Sequence, residues 1–305
     1  MNFREFILGL GVTIKEIKNW PKALLFRGGV FDSIECNYKK LGKVKLFRND
    51  RNIFDTILAS LRCDLNIHQI NILKSIISQK DKDIIEIQIN NEESIKFNNN
   101  DNIIGFIFEI FVRNVYDIDN TSEKRTVVDI GANEADTALF FASKGYDVVS
   151  FEPISYVYEN GKANIDLNEN LRSKIKFINK GISCKNGKTK IYFGEDLDKY
   201  SGDATIYNST KNSEWIDVIT LDTAMKDYNI IPDVLKMDCE GCEVDIILNS
   251  DLSMFNEIYF EYHTIFPKID ENILIKELEN QGFIMKYKNS IVKDLGIIKM
   301  IKNKL

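Results

Sequence analysis

Hydrophobic positions in the first hundred residues follow two different periods. The segments FDSIECNY (31–38) and KVKLFRN (43–49) alternate apolar and polar residues around a short turn, which predicts an antiparallel ribbon of two strands. From Asn52 to Lys80 the apolar residues recur mainly at helical spacing, which predicts one or two helices. The run DIIEIQINNEESIKFNNN (83–100) returns to period two. A small α+β region is therefore expected here.

A polar bridge, DIDNTSEKRT (117–126), separates this region from a different pattern. We place a domain boundary there, giving an N-terminal region over residues 1–120 and a second domain over 121–305. Beyond the bridge, apolar runs of strand length alternate with helix-length segments, as in βαβ units with a parallel sheet. The predicted strands are TVVDI, DVVSFE, KIKFIN, DVLKMD, EIYFEY, GFIMKY and GIIKMIK. The second domain is therefore expected to be α/β, with a doubly wound, mostly parallel sheet.

An insertion over residues 190–220 interrupts that alternation. It contains KIYFG, DATIY and WIDVIT, which predict additional strands or a loop on the substrate side of the sheet.

Composition narrows the classes of function. A net charge of −6 over 305 residues argues against a broad nucleic-acid surface, which needs clustered Lys and Arg. The longest apolar stretch, Ile103 to Val112, is shorter than the roughly 18 residues of a membrane span. Arg4 and Glu5 interrupt the apolar N-terminus, which we interpret as a structural helix and not a signal peptide. Five cysteines, an odd number, favour free thiols and a cytoplasmic location.

The first candidate site lies where TVVDI turns into the next helix through Asp129-Ile130-Gly131-Ala132-Asn133. A dinucleotide loop, G-x-G-x-x-G, would need glycine where this chain has Asn133 and Asp136, and Asp136 would repel a pyrophosphate. An amino-acid-like ligand fits better, since backbone N–H groups at a helix start suit its carboxylate and Asp129 suits its ammonium.

Glu152 ends the next strand and is placed to accept both hydroxyls of a ribose. An amino acid at one end and a nucleoside at the other describe S-adenosylmethionine. The alternative is that Asp129 and Glu152 only cap nearby backbone. Ser183, after a third strand, is a weaker candidate for the adenine edge of the pocket.

A second acidic cluster follows the strand DVLKMD. Asp238 lies at the carboxyl end of that strand, where open α/β sheets bind ligands. Glu240 is a candidate to orient a substrate or the ammonium, and Glu243 either pairs with Lys236 or caps the helix that follows.

Two further features lie near Asp238. Cys239-Glu240-Gly241-Cys242 has C-x-x-C spacing, but no second cysteine pair accompanies it, so we interpret these thiols as packing residues and predict no metal site. Glu261 and His263 end the strand EIYFEYH on one face. His263 or Asp238 is the candidate general base, with Glu261 orienting the imidazole; the alternative is an ordinary strand-end histidine.

The motifs VVDIGANEADTALFFASKG, FEP, ITLDTAM and LKMDCEGCEVDIIL together resemble the FkbM family of S-adenosylmethionine-dependent methyltransferases, from about Tyr116 to Tyr287. The resemblance implies the class I, Rossmann-like methyltransferase fold, with helices on both faces of a seven-stranded sheet and one antiparallel strand inserted. It also implies O-methylation of a sugar, glycan or other small molecule. Family members usually have glycine where this chain has Ala135, which concerns the loop geometry more than the cofactor.

Alternative functions remain open at this point. One is methylation of RNA or protein, against which stands the absence of an N-P-P-[FYW] motif after a strand. Another is a non-catalytic module that binds S-adenosylmethionine or a partner protein, supported only by Ala135. The N-terminal region is compatible with a cap over the acceptor site, with formation of a homodimer, or with docking on a partner.

Overall fold

The computed structural model describes residues 11–90, 93–100, 103–193, 212–263, 269–292 and 295–303. It divides into two compact units, Met1–Val115 and Tyr116–Leu305. The boundary expected near residue 120 lies in the polar bridge just beyond this division.

The N-terminal unit contains two β-hairpins and several helices. Its strands are β1 (Ser33–Tyr38), β2 (Gly42–Phe47), β3 (Ile84–Gln88) and β4 (Ser94–Asn98). Its helices include α1 (Trp20–Arg27), α2 (Arg51–Leu61), α3 (Ile67–Gln79) and α4 (Ile103–Ile107), the last followed by a π-helical turn (Phe108–Val112). Both strand pairs are antiparallel and alternate buried and solvent-facing positions, as their sequence pattern predicts.

The apolar run from Asn52 to Lys80 forms two helices because a new helix start interrupts it. The Asn66 side chain accepts from the Gln69 N–H and the Gln69 side chain accepts from the Asn66 N–H, a capping box that begins α3.

The C-terminal unit contains ten strands and six helices within the described residues. The strands are β5 (Thr126–Ile130), β6 (Asp147–Phe151), β7 (Ile175–Ile178), β8 (Gly181–Ile182), β9 (Gly187–Phe193), β10 (Asn212–Ile219), β11 (Val234–Met237), β12 (Glu257–His263), β13 (Phe283–Val292) and β14 (Leu295–Lys302). The helices are α5 (Asp136–Ser143), α6 (Ser155–Asp166), α7 (Glu169–Arg172), α8 (Leu221–Asp227), α9 (Cys242–Asn249) and α10 (Glu271–Asn280).

Seven of these strands form the central sheet, in the order β13-β14-β12-β11-β5-β6-β7. They are the seven strands predicted from the sequence. β14 is antiparallel to both of its neighbours, whereas β12, β11, β5, β6 and β7 are mutually parallel. This single inserted antiparallel strand confirms the class I methyltransferase fold.

The strands at the centre of the sheet are buried on both faces. Every residue of β11 is buried, as are the last four residues of β5 and of β6. Because successive side chains of a strand point to opposite faces, both faces of the sheet are covered.

The predicted insertion contributes strands to a second, three-stranded sheet, in the order β8-β10-β9. KIYFG corresponds largely to β9 and WIDVIT to β10, whereas DATIY lies outside the described residues. Within the described ranges, no helix combines the length and apolarity that a bilayer crossing requires.

Candidate active site

The register of the sheet brings the predicted site residues into one row. Four parallel strands are aligned at one set of residues: Phe151, Ile130, Met237 and Phe260. The residues that directly follow them along the chain are Glu152, Gly131, Asp238 and Glu261. The carboxyl edge of the sheet therefore collects side chains from motifs that are far apart in sequence.

Gly131 is the tightest point of the loop after β5. Its φ is +75°, and a Cβ at this position would lie 1.8 Å from the carbonyl oxygen of Asp238, so no other residue fits. The N–H groups of Gly131 and Ala132 both donate to the carbonyl oxygen of Phe151, at 3.0 and 3.1 Å. These two amides are therefore already used by β6, and the cofactor-binding role of Gly131 and Ala132 stays a prediction.

A buried ion pair supports this loop from within the sheet. Lys236 Nζ lies 3.0 Å from Asp129 Oδ1 and donates to the carbonyl oxygen of Gly131 at 2.7 Å. The hydroxyls of Thr137 and Ser150 donate to Asp129 Oδ2 at 2.8 and 3.2 Å. The side chains of Lys236 and Asp129 are 1% and 0% exposed, so neither reaches solvent.

These contacts give Asp129 a structural role. The cation beside its carboxylate is Lys236, so Asp129 helps to hold the loop, and its contact with a ligand ammonium stays a prediction. Burial alone would lower the pKa of Lys236, but attraction to Asp129 and to the nearby acids Asp238 and Asp136 raises it above its ordinary value. Lys236 therefore stays charged and keeps its bond to the loop.

Glu152 is held at the end of β6 by two backbone amides. Its Oε2 accepts from the Asn133 N–H at 3.0 Å and its Oε1 accepts from the Ile154 N–H at 2.9 Å. Burial raises the pKa of Glu152 to about 8, although both hydrogen bonds act in the opposite direction. Each carboxylate oxygen keeps a further lone pair for a hydroxyl donor. Glu152 thus caps backbone, and its contact with a ribose stays a prediction.

Three buried oxygen atoms in or beside this loop have no hydrogen-bond partner among the described residues. Oδ1 of Asp129 is paired with the charge of Lys236 at 3.0 Å, which leaves Oδ1 of Asn133 and Oδ1 of Asp136, the first residue of α5. Burial raises the pKa of Asp136 to about 8, although attraction to Lys236 acts in the opposite direction. Buried acceptors without a donor are rare in folded proteins. A ligand that carries ammonium and hydroxyl donors, as S-adenosylmethionine does, fits these two positions.

Asp238 and Glu261 meet at the next part of the row, together with Glu240. One carboxylate oxygen from each lies within 4.8 Å of the others, and all three residues are half-buried. The hydroxyl of Tyr116 donates to Asp238 Oδ2 at 3.4 Å. The structure therefore brings together three acids that the sequence analysis named separately, which makes this edge strongly attractive to cations.

Glu243 supports the backbone between Asp238 and α9. Its Oε1 accepts from the Cys239 N–H at 2.6 Å and its Oε2 accepts from the Gly241 N–H at 2.8 Å. Burial raises the pKa of Glu243 to about 7. Of the two roles left open by the sequence, Glu243 fills the capping role, and the ion-pair partner of Lys236 is Asp129.

Cys239 and Cys242 form a disulfide across this loop. The interpretation of all five cysteines as free thiols is therefore wrong for this pair, whereas Cys36, Cys63 and Cys184 are free. The turn between the two cysteines brings their Cα atoms to 5.5 Å, a usual distance for a disulfide.

The structure does not show a site contact for two of the predicted residues, His263 and Ser183. His263 ends β12 two residues after Glu261, which puts both on one face of the strand, but its side chain lies outside the described residues. Ser183 follows β8 in the three-stranded sheet, and its N–H donates to the Ile219 carbonyl at 3.0 Å. Their catalytic and adenine-binding roles stay predictions.

The sequence model of the methyltransferase FkbM domain matches residues 129–285, slightly more than half of the chain. The chain belongs to the FkbM methyltransferase family. This match includes the glycine loop, Glu152, the acidic cluster and the strand end at His263. The protein is accordingly an S-adenosylmethionine-dependent methyltransferase, and S-adenosylmethionine is its cofactor. No curated protein matches this FkbM chain.

Solved structures that resemble this chain share little sequence with it. The methyltransferase FkbM from Methylobacillus flagellatus KT is 13% identical with a TM-score of 0.43, covering 82% of this chain and 59% of that one. TrmK of M. capricolum, solved with S-adenosyl-homocysteine, is 12% identical with a TM-score of 0.40, covering 63% and 67%. Magnesium protoporphyrin IX methyltransferase from Synechocystis is 10% identical with a TM-score of 0.36, covering 59% and 71%.

All three TM-scores lie below 0.5, so the fold of this FkbM domain rests on its own strand order. The chain also spans less than two thirds of the M. flagellatus protein.

Lys236 is the site residue that sequence reasoning missed. The sequence predicts for it only a pairing with Glu243, yet it holds both Asp129 and the Gly131 loop. The signal was present, because a lysine inside the apolar run VLKM is almost never fully buried without a paired acid.

Proposed function

We propose that this FkbM domain transfers the methyl group of S-adenosylmethionine to a hydroxyl of a sugar, glycan or other small molecule. One observation carries the proposal: Asp238 and Glu261 end the two strands next to the strand that leads into the glycine loop, so these acids lie beside that loop. The cofactor supplies an electrophilic methyl on a sulfonium, so the protein has to position an acceptor and remove its proton.

The cofactor-binding residues in this proposal divide by their chemistry. Glu152 accepts from the ribose hydroxyls through the lone pairs that its two amide partners leave free. The unpartnered oxygens of Asn133 and Asp136 accept from the ammonium. Gly131 and Ala132 shape the loop through Phe151, and Asp129 holds it through Lys236.

The acceptor side is assigned to Asp238, Glu261 and His263. Asp238 is 33% exposed and is anchored by Tyr116, so it can take a proton from a hydroxyl without leaving its place. His263 is the alternative base, with Glu261 on the same strand face to orient its imidazole. Three carboxylates at this edge disfavour a polyanionic acceptor such as RNA.

The first test is calorimetric titration of the full chain with S-adenosylmethionine and with NAD. We expect binding of the first ligand only, and a Glu152→Ala variant should lose it. Binding of NAD in preference to S-adenosylmethionine would contradict the assignment of the loop.

The second test offers methyl-labelled S-adenosylmethionine and a panel of monosaccharides, methyl glycosides and matched amines. We expect label on a hydroxyl compound, and about a hundredfold lower turnover in Asp238→Asn, the lower range for loss of a general base. Asp245→Asn, in α9, is the matched control and should keep full activity. Label on amines alone would contradict the proposal, and equal turnover in Asp238→Asn would leave His263 as the base.

A further inference from the structure

The disulfide between Cys239 and Cys242 encloses one member of the acidic cluster. Glu240 lies between the two cysteines, and Asp238 directly precedes the first. Both cysteines are half-buried at the margin of the apolar core, so neither residue is sealed from solvent. The bond is therefore at the site and not in a remote part of the fold.

The enclosed backbone adopts a conformation that an open chain would rarely keep. Glu240 has φ +56° and Gly241 has φ +112°, two successive left-handed residues, of which only the glycine is tolerant. The Glu243 carboxylate stabilises this turn by accepting from the amides of Cys239 and Gly241. The covalent bond adds a constraint that limits how far Glu240 can move.

Electrostatic repulsion acts against the same conformation. Carboxylate oxygens of Asp238, Glu240 and Glu261 lie within 4.8 Å of one another, and like charges at that spacing repel. The backbone of Glu261 is fixed by β12, so movement of the loop that carries the other two acids would relieve the repulsion. A cross-link over Glu240 opposes that movement.

The loop is also in direct contact with the cofactor loop. The carbonyl oxygen of Asp238 lies against Gly131, leaving no space even for a Cβ, and Lys236 lies 4.0 Å from Asp238 Oδ2 while bonding to the Gly131 carbonyl. A shift of Asp238 therefore changes the surroundings of Gly131.

We propose that the Cys239–Cys242 bond is a redox-sensitive positioning device, which holds Asp238 and Glu240 where their charge favours the cationic cofactor. This inference rests on the proposed function. Reduction by a dithiol breaks the S–S bond, the two sulfurs each gain a proton, and the dithiol becomes a disulfide. Cys239 and Cys242 act through the acids and touch no reacting atom.

The experiment compares the full chain after mild oxidation and after treatment with dithiothreitol, with desalting in between. Alkylation in denaturant followed by mass measurement should count three free thiols in the oxidised form and five in the reduced form. Titrations then use S-adenosylmethionine and S-adenosylhomocysteine, which lacks the sulfonium charge. We expect reduction to lower the affinity for S-adenosylmethionine about tenfold and the affinity for S-adenosylhomocysteine clearly less. Both affinities should recover on reoxidation.

Two variants accompany the wild type. Cys239→Ser/Cys242→Ser should show the weak binding in both conditions and no response to dithiol. Cys63→Ser, which removes a free cysteine of the N-terminal unit, should respond as the wild type does. Hydrogen exchange at the amides of Cys239 and Gly241 should become faster in the reduced wild type, independently of any ligand.

Three results would overturn the inference: failure of the bond to form, unchanged affinity on reduction, or an equal loss for both ligands, which would indicate general loosening. Failure of the proposed function would look different. The oxidised protein would then still bind both ligands but label no hydroxyl compound, while the exchange measurement would still report whether the bond orders the loop.

Discussion

The two loops at the carboxyl edge of the sheet have similar left-handed backbone conformations but are stabilised by different contacts. Residues 131–135 include left-handed Asn133 and Ala135, and residues 238–241 include left-handed Glu240. The first loop is supported by Lys236 from inside the sheet, whereas the second is closed by a disulfide and by Glu243. The first support is electrostatic and depends on burial, whereas the second is covalent and local, so different perturbations should act on each.

The largest effect is expected from Lys236→Met. The change leaves Asp129 as a buried charge without its cation, which should lower the free energy of unfolding by about 3–5 kcal/mol. Urea unfolding measures the loss. Hydrogen exchange should rise first in residues 131–135, while the cross-linked loop keeps its protection.

The control for this change is the double variant Asp129→Asn/Lys236→Met. Since it removes both charges, it should recover a large part of the stability. Equal destabilisation in the single and double variants would show that the pair does not support the first loop through its charge.

A smaller effect is expected from Gly131→Ala, which acts where the loops touch. The new Cβ would overlap the Asp238 carbonyl oxygen, and this overpacking should lower the free energy of unfolding by about 1–3 kcal/mol. The left-handed backbone should lower it by about another 1–2 kcal/mol. Binding of S-adenosylmethionine in calorimetry should be lost.

Gly282→Ala is the matched control for Gly131→Ala. Gly282 also has a positive φ, +89°, but no atom lies within 4 Å of its added Cβ. It should therefore show the backbone cost alone and keep cofactor affinity. Similar losses in both variants would mean that the contact between the loops is unimportant.

Sequence reasoning identified the row of site residues but not their supports. Seven apolar runs predicted the central strands, and strand ends predicted Gly131, Glu152, Asp238 and Glu261, because parallel strands share their carboxyl edge. Period and strand ends are local properties, so a single sequence shows them.

The contacts of those residues depend on register and on turn geometry. The pairing of Lys236 with Asp129 follows from their alignment on adjacent strands, and the use of the Gly131 and Ala132 amides depends on the position of Phe151. The disulfide depends on left-handed backbone at Glu240. Spacing along the chain reports none of these, which explains why the role of Lys236 and the disulfide were not predicted, whereas the capping role of Glu243 was.

A third perturbation, pH, should affect the first loop through two buried acids beside it, Glu152 and Asp136. The pKa values of Glu152 and Asp136 are each raised to about 8 by burial, so both are largely protonated near neutral pH without ligand. Hydroxyl and ammonium donors favour the ionised carboxylates, so cofactor binding should release protons.

The affinity for S-adenosylmethionine should therefore rise between about pH 6 and about pH 8, by up to roughly tenfold per pH unit for each proton released. Calorimetry in buffers of different ionisation enthalpy counts those protons. The ligand-free protein should change in the opposite direction: these acids bind more protons folded than unfolded, so stability falls as the pH rises through that window. A flat affinity profile would contradict the contact of the cofactor with these acids.

The smallest effect is expected from Ala135→Gly, which restores the residue that the family usually has. Ala135 already adopts φ +63° at 0% exposure, so glycine would relieve about 1–2 kcal/mol of left-handed strain. It would also lose a buried methyl worth about 0.8 kcal/mol and add about 0.5–1 kcal/mol of chain entropy in the unfolded state. These terms nearly cancel, so stability should change by less than about 1 kcal/mol.

Ala132→Gly separates those terms, because Ala132 is also 0% exposed but has no positive φ to relieve. It should cost about 1–2 kcal/mol from the lost methyl and the added entropy. The difference between the two variants in urea unfolding therefore measures the strain at Ala135 alone. If both variants lose the same stability, the alanine fits its loop without strain, and the first loop needs less support from Lys236 than its backbone angles indicate.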